Sequence, residues 1–197
     1  RRQRQMCIRD SITDVACYWI KECDIDGWRL DVGDEISHFF WKNFRKAVKA
    51  VKKDMLIIGE IWHYAGDFLE GDEWDTVMNY PFYLNLIDLL ADEKITVSQF
   101  VQNLGYLKGR LHKNCYPLMW NLIDSHDTAR FLHLCNDNKK KQHLAAAFQL
   151  LLPGMPMIYY GDEYAMPGAN DPDCRRGMYW DEEYQDKEMY EWYKRLI

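Results

Sequence analysis

The sequence predicts an α/β protein that forms part of a TIM (β/α)8 barrel, and three observations carry that expectation. Five apolar runs of strand length, centred near residues 30, 57, 77, 120 and 157, alternate with helical patterns. Each pair of runs is separated by enough chain for a crossover helix, so the strands should be parallel with right-handed connections. A complete barrel takes about 250 residues, whereas these 197 residues open on a helical pattern with no strand before it. An open doubly wound sheet is the structural alternative, but no Gly-rich phosphate loop opens any of the helices.

The elements follow in order. Residues 1–11, RRQRQMCIRDS, carry four arginines and no apolar period and read as a non-native leader or a disordered arm. The domain is expected over 12–197. Apolar positions 12, 15, 16, 19, 20 and 23 have helical spacing, DIDG breaks the pattern, and WRLDV at 28–32 reads as a strand. A helix over 37–52 precedes the strand MLIIGEIW, and DTVMNYPF supplies a third strand. Helical patterns at 82–91 and 97–112 lead to PLMWNLIDSHD. A basic loop, a helix at 142–152 stopped by Pro153-Gly154, and the strand MPMIYYGDE complete the set.

Composition narrows the function. There are 25 Lys+Arg against 31 Asp+Glu, a formal charge of −6, which argues against a nucleic-acid partner. Hydrophobic residues at 48% and charged residues at 28% describe a globular domain with a sizeable core. No run reaches the roughly 18 apolar residues of a membrane span, and no signal core follows the basic start, so no membrane partner is expected. The six cysteines form no CxxC pair, which suits reduced thiols and a cytoplasmic location better than a disulfide or zinc framework.

The informative residues are charges where strands should be apolar. In WRLDV the two-residue period puts Arg29 and Asp31 together on one face, which a parallel sheet covers; they form either a structural ion pair or a working one. Glu60 ends the second strand on the side where barrel enzymes keep their chemistry, and is otherwise a solvated loop carboxylate. Asp124-Ser125-His126-Asp127 ends the fourth strand. Two carboxylates at adjacent strand ends suit retaining glycoside hydrolysis, with Arg29 keeping Asp31 ionised as nucleophile and an apolar setting keeping Glu60 protonated as acid. Trp62 and Tyr80 are candidate sugar-stacking rings, with simple packing as the alternative.

These motifs, DGWRLDV at 26–32, GEIW at 59–62 and IDSHD at 123–127, followed by IYYGDE and GANDPDCR, resemble conserved regions of the α-amylase family of glycoside hydrolases. VMNYPF, GEIWH and NDPDCR resemble its neopullulanase, maltogenic amylase and cyclomaltodextrinase group. The resemblance implies that the strands are approximately four to eight of the barrel, and that the full-length protein holds further domains. It implies Asp31 as nucleophile, Glu60 as general acid/base and Asp127 as the carboxylate that grips sugar hydroxyls. Arg29 would orient Asp31, and His126 would bond the sugar. Asp171 and Arg175 would bind its non-reducing side, and Glu35 would lie near the acceptor.

The implied reaction is double displacement on α-1,4 bonds of maltodextrins, cyclodextrins or pullulan, with transglycosylation as a side activity. An α-glucan oligosaccharide is the expected partner, together with a homodimer for the full-length protein. No cofactor or metal is expected within this stretch, with calcium an option in the full-length protein. The alternatives are a non-catalytic scaffold domain and a transferase or isomerase of the same family.

Overall fold

The computed structural model describes the backbone of residues 2–197 and the side chains of residues 8–197. The chain divides after Met78 into two compact units, each containing its own parallel sheet.

The first unit contains helix α1 (Arg2–Cys23), strand β1 (Gly27–Leu30), helix α2 (His38–Val51), strand β2 (Leu56–Gly59) and strand β3 (Thr76–Val77). Strand order is β1-β2-β3, all parallel, with Leu30 opposite Gly59 and Gly59 opposite Val77. Helix α2 begins where the Ser37 hydroxyl accepts the Phe40 N–H, and buries Trp41, Phe44 and Val48 along one stripe.

Helix α1 differs from expectation. It starts at Arg2, so residues 2–11 are helical rather than a disordered arm. Arg, Gln and Met are good helix formers, no Gly or Pro interrupts them, and the apolar spacing begins at Ile8 rather than at Ile12. Ile8, Ile12 and Val15 of α1 line an apolar groove of about 900 Å³ with Trp28 and Leu30 of β1 and Phe40 of α2. Leu56 N–H donates to Asp26 O and Glu60 N–H to Leu30 O, so the even-numbered peptides of β1 bond to β2. Those of Gly27 and Arg29 face the other edge.

The second unit contains α3 (Tyr80–Leu86), α4 (Val97–Arg110), β4 (Trp120–Asn121), α5 (Phe131–Leu134), α6 (Lys139–Leu151), β5 (Met155–Pro156) and α7 (Lys187–Leu196). Strands β4 and β5 are parallel, with Trp120 opposite Met155. Helix α6 is fastened to this sheet by Gln149, whose buried amide donates to Asn121 O and Met157 O. Helix α4 carries a complete capping box between Thr96 and Gln99. Phe82, Leu86, Phe100, Ile123, Phe131 and Ala145 form one apolar core, and Leu132, Ala146, Met189 and Tyr193 another.

The third strand is shorter than its apolar run. Asn79 caps a helix with its side chain on Phe82 N, Pro81 occupies the first turn, and the run NYPF becomes the start of α3 instead of the end of a strand. The helix expected over 82–91 accordingly runs as α3 and then a π turn, Ile87–Ala91.

Gly59 is the tightest point of the first sheet. A Cβ there would come within 2.2 Å of the Trp74 ring, which is buried and stacked on Phe68 at a centroid distance of 4.1 Å. Gly59→Ala in the full-length protein is expected to cost about 1–3 kcal/mol by overpacking. Gly105→Ala, inside α4 with open space around it, should instead stabilise by about 0.5–1 kcal/mol. Denaturant midpoints of the two variants check the pair.

Candidate active site

The first unit brings Arg29, Asp31, Glu60 and Trp62 together, each placed by the end of a strand. Strand β1 stops at Leu30, so Asp31 lies one residue beyond it and its side chain is 74% exposed. This corrects the expectation that Arg29 and Asp31 share a covered face. The chain leaves the sheet at Val32, which adopts the left-handed conformation (φ 44°, ψ 45°) rare for a β-branched residue. Several bonds hold that turn. Trp41 Nε1–H donates to Gly33 O at 2.8 Å, Gly33 N–H to Glu60 O at 3.2 Å, and Val32 N–H to Glu60 Oε2 at 3.1 Å.

Glu60 follows the last residue of β2, and its side chain is only 4% exposed. The apolar setting expected for it is absent. Arg29 Nη2 lies 2.8 Å from Glu60 Oε2, Arg29 Nη1 lies 2.5 Å from Asp31 Oδ1, and Trp62 Nε1–H reaches Glu60 Oε1 at 3.4 Å. One guanidinium therefore serves both carboxylates, a bidentate role a lysine could not fill. The Trp62 ring is half-exposed beside them. Glu35 stands apart: it lines the apolar groove and makes no hydrogen bond or ion pair with Asp31 or Glu60. His63 and Asp34, which the sequence did not single out, pair at 3.2 Å on the same turns. The only hint was the H of GEIWH.

The second unit brings His126, Asp127, Asp171 and Arg175 together. Arg175 donates from Nη2 to Asp127 Oδ1 at 3.0 Å and from Nε to Asp171 Oδ1 at 2.7 Å, and His126 Nε2 lies 3.1 Å from Asp127 Oδ2. The loop that carries Asp127 is closed by Ser125, whose hydroxyl accepts Asp127 N–H, and by Thr128, whose hydroxyl accepts Ser125 N–H. Tyr80 is not an exposed stacking ring. Its side chain is fully buried, because Asn79 starts the helix there and turns it inward, and its hydroxyl meets Ser125 Oγ at 3.3 Å. Among the described residues no group of three or more His, Cys, Asp or Glu side chains could hold a metal ion.

Sequence and structure comparisons bear on this arrangement. The family described as "Alpha amylase, catalytic domain" matches residues 3–195. The chain belongs to the α-amylase catalytic-domain family. That domain is a TIM barrel fold. The chain is similar to a cyclomaltodextrinase of Thermoanaerobacter pseudethanolicus, with 49% identity over 96% of the chain and 33% of that protein. Neopullulanase 2 of Thermoactinomyces vulgaris is 46% identical over 96% of the chain and 32% of its own length. Among solved structures, a cyclomaltodextrinase superposes with a TM-score of 0.94 at 43% identity, over 96% of the chain and 33% of that structure. A cyclic α-maltosyl-(1→6)-maltose hydrolase from Arthrobacter globiformis does so with 0.93 at 38% identity, over 96% and 43%. The chain spans about a third of the length of the curated relatives it matches.

The Arg29 bridge has a measurable consequence for stability. Arg29→Met leaves the buried Glu60 carboxylate without its cation and should cost about 3 kcal/mol in the full-length protein. Glu60→Gln in the same background should return most of that loss, because the buried group is then neutral. A double-mutant cycle on denaturant midpoints measures the coupling.

Proposed function

We propose that the chain carries the catalytic carboxylates of a retaining α-glucan hydrolase that cleaves α-1,4 bonds in maltodextrins, cyclodextrins or pullulan, with transfer to a second sugar as a side reaction. The observation that carries the reading is the single guanidinium of Arg29 between Asp31 and Glu60. Retaining enzymes keep their two carboxyl groups only about 5–5.5 Å apart, and one cation that touches both favours that spacing over the wider gap an attacking water needs.

The roles follow from which oxygens are engaged. Asp31 is exposed and oriented by Arg29, as a nucleophile that must reach an anomeric carbon has to be. Oε2 of Glu60 is occupied by Arg29 and Val32 N–H, which leaves Oε1, beside Trp62, to carry the proton to the leaving oxygen. In the reactive form Glu60 carries one proton, and the three groups are then electrically neutral. When Asp31 forms the glycosyl ester its negative charge disappears, and when Glu60 gives up its proton a negative charge appears there. Arg29 balances both states without moving. Water then enters with Glu60 as base, and the configuration is retained.

In the second unit Asp127, held by Arg175 and flanked by His126, is proposed to grip sugar hydroxyls and to stabilise the oxocarbenium-like transition state. Asp171 and Arg175 are proposed to serve the non-reducing side of the substrate. The Trp62 ring supports a stacking role. Glu35 is proposed for the acceptor side on resemblance alone.

We also propose that the five strands are strands four to eight of the family's barrel. The peptides of Gly27 and Arg29 that face away from β2, without a strand partner among the described residues, and the apolar groove beside α1 support this reading, because a preceding strand would cover both. A cytoplasmic location is proposed from cysteine usage, and a homodimer from the named group; among the described residues, no helix is long and apolar enough to cross a membrane.

The test is stereochemical. Proton NMR of early products from maltotriose or γ-cyclodextrin, with the full-length protein, should show the α-anomer first. Asp31→Asn should abolish turnover, and Glu60→Gln should lower kcat by about 10²–10⁴-fold while sparing the first step on aryl glycosides whose leaving group needs no protonation. A β-anomer product, or full activity in either variant, would contradict the assignment. Folded full-length protein with no activity on any α-glucan would favour a non-catalytic scaffold.

A further inference from the structure

Behind the Asp127 loop lies a charged cluster that the proposed reaction does not use. Asp124, Arg130 and Asp162 are each at least 99% buried. Asp124 Oδ2 accepts the Phe131 N–H at 2.7 Å and so closes the loop 125–130 that contains His126 and Asp127. Arg130, at the start of α5, donates to Tyr160 O at 2.7 Å and lies 3.3 Å from Asp162 Oδ1. Its guanidinium packs over the rings of Tyr159 and Tyr160 at 4.5 and 4.9 Å. The Arg130 N–H donates to Gly168 O. The cluster thus joins the loop after β4, which carries Asp127, to the segment after β5, which carries Arg175.

Charge counting exposes a shortage of cations. Two buried carboxylates face one arginine, and the two oxygens left over, Asp124 Oδ1 and Asp162 Oδ2, have no conventional donor. The two carboxyl groups belong to the same buried cluster and interact electrostatically. With both ionised, two acceptor-only groups would face one guanidinium with a negative charge left over in the core. A single proton held by the pair removes the charge that Arg130 leaves uncompensated.

The remaining neighbours supply no second cation. Gln142 of α6 donates to Asp162 O, and the buried phenols of Tyr193 on α7 and Tyr83 on α3 are near enough to feel the Asp124 charge. Glu163, beside Asp162, adds a further negative charge. Burial pushes the Asp124 carboxyl up to about 6, and burial with the Asp124 charge pushes Asp162 well above the usual carboxylate range.

We propose that Asp124 and Asp162 share one proton, and that this acid pair, neutralised by Arg130, is the positioning element that locks the Asp127 loop to the Arg175 segment. Like the close carboxylate pairs of other proteins, it titrates as a unit. The folded protein holds a proton that the unfolded chain releases near pH 4. The stabilisation is complete below about pH 4, where the unfolded chain is also protonated, and is lost as pH rises from there through the folded values, about 6 for Asp124 and well above the usual carboxylate range for Asp162.

The test uses Asp162→Asn in the full-length protein, since an amide donates to Asp124 Oδ1 as the shared proton does and still accepts from Arg130. Between pH 4 and 8 the wild-type Tm should fall by about 3 °C or more beyond the fall in the variant. The infrared carbonyl stretch of a protonated buried carboxylic acid should be present in the wild type and absent from the variant. Asp162→Leu supplies neither donor nor acceptor, and should lose more than about tenfold in kcat/KM on maltotriose relative to Asp162→Asn. An Asp162→Asn protein that does not fold, that keeps the wild-type pH slope, or that retains the acid band would overturn the proposal.

Discussion

The guanidinium of Arg29, held between Asp31 and Glu60, is the interaction on which the rest of the first unit is organised. A buried carboxylate such as Glu60 is costly without a cation, and Arg29 can supply one only because β1 and β2 are parallel and in register, with Leu30 opposite Gly59. That register requires a glycine at 59, where the Trp74 ring lies against the backbone. It also places Glu60 N–H on Leu30 O and Gly33 N–H on Glu60 O. The left-handed Val32 follows from the same constraint. Only a sharp turn directly after Asp31 points the Val32 N–H at Oε2 and leaves the Asp31 carboxylate in solvent. Packing, strand register and electrostatics therefore converge on two carboxyl groups and one cation.

The second unit solves a different problem with related means. Asp127 is not at the end of a long strand but in a loop, and a loop is a poor platform unless its own hydrogen bonds are closed. Here Ser125, Thr128 and Asp124 close them from inside, while Arg175 and His126 hold the carboxylate itself. Arg130 plays the part in this unit that Arg29 plays in the first: one cation shared among more carboxylates than it can neutralise. In the first unit the surplus proton sits on a group exposed to chemistry in the proposed reaction. In the second it is sealed in the core, where it serves position.

Much of this was legible in the sequence. Arg29 with Asp31 in one short apolar run, Glu60 after LIIG, and the D-S-H-D cluster after LMWNLI stood out because a charge in a buried strand demands an explanation. Parallel pairing followed from connection lengths. Three things were not legible. The fork of Arg29 onto Glu60 depends on inter-strand register, which alternation within a strand does not encode, so Glu60 looked apolar when it is ion-paired. Tyr80 looked like an exposed ring because its role as the first residue of α3 depends on Asn79 acting as a cap. The Asp124–Asp162 contact joins residues 38 positions apart in sequence. Asp124 was visible within its motif, but Asp162 and Arg130 gave no local signal.

If Asp31 attacks the sugar while Arg29 and Glu60 manage the charge, as proposed, the attack can be trapped. The full-length protein would be incubated with a fluorinated α-glucosyl fluoride that forms the glycosyl ester faster than water resolves it, then digested and mapped by mass spectrometry. One equivalent of sugar is expected on the peptide containing Asp31, with release of that label when an acceptor sugar is added. Label on Glu60, or continued turnover of substrate with no covalent adduct on Asp31, would contradict attack by Asp31.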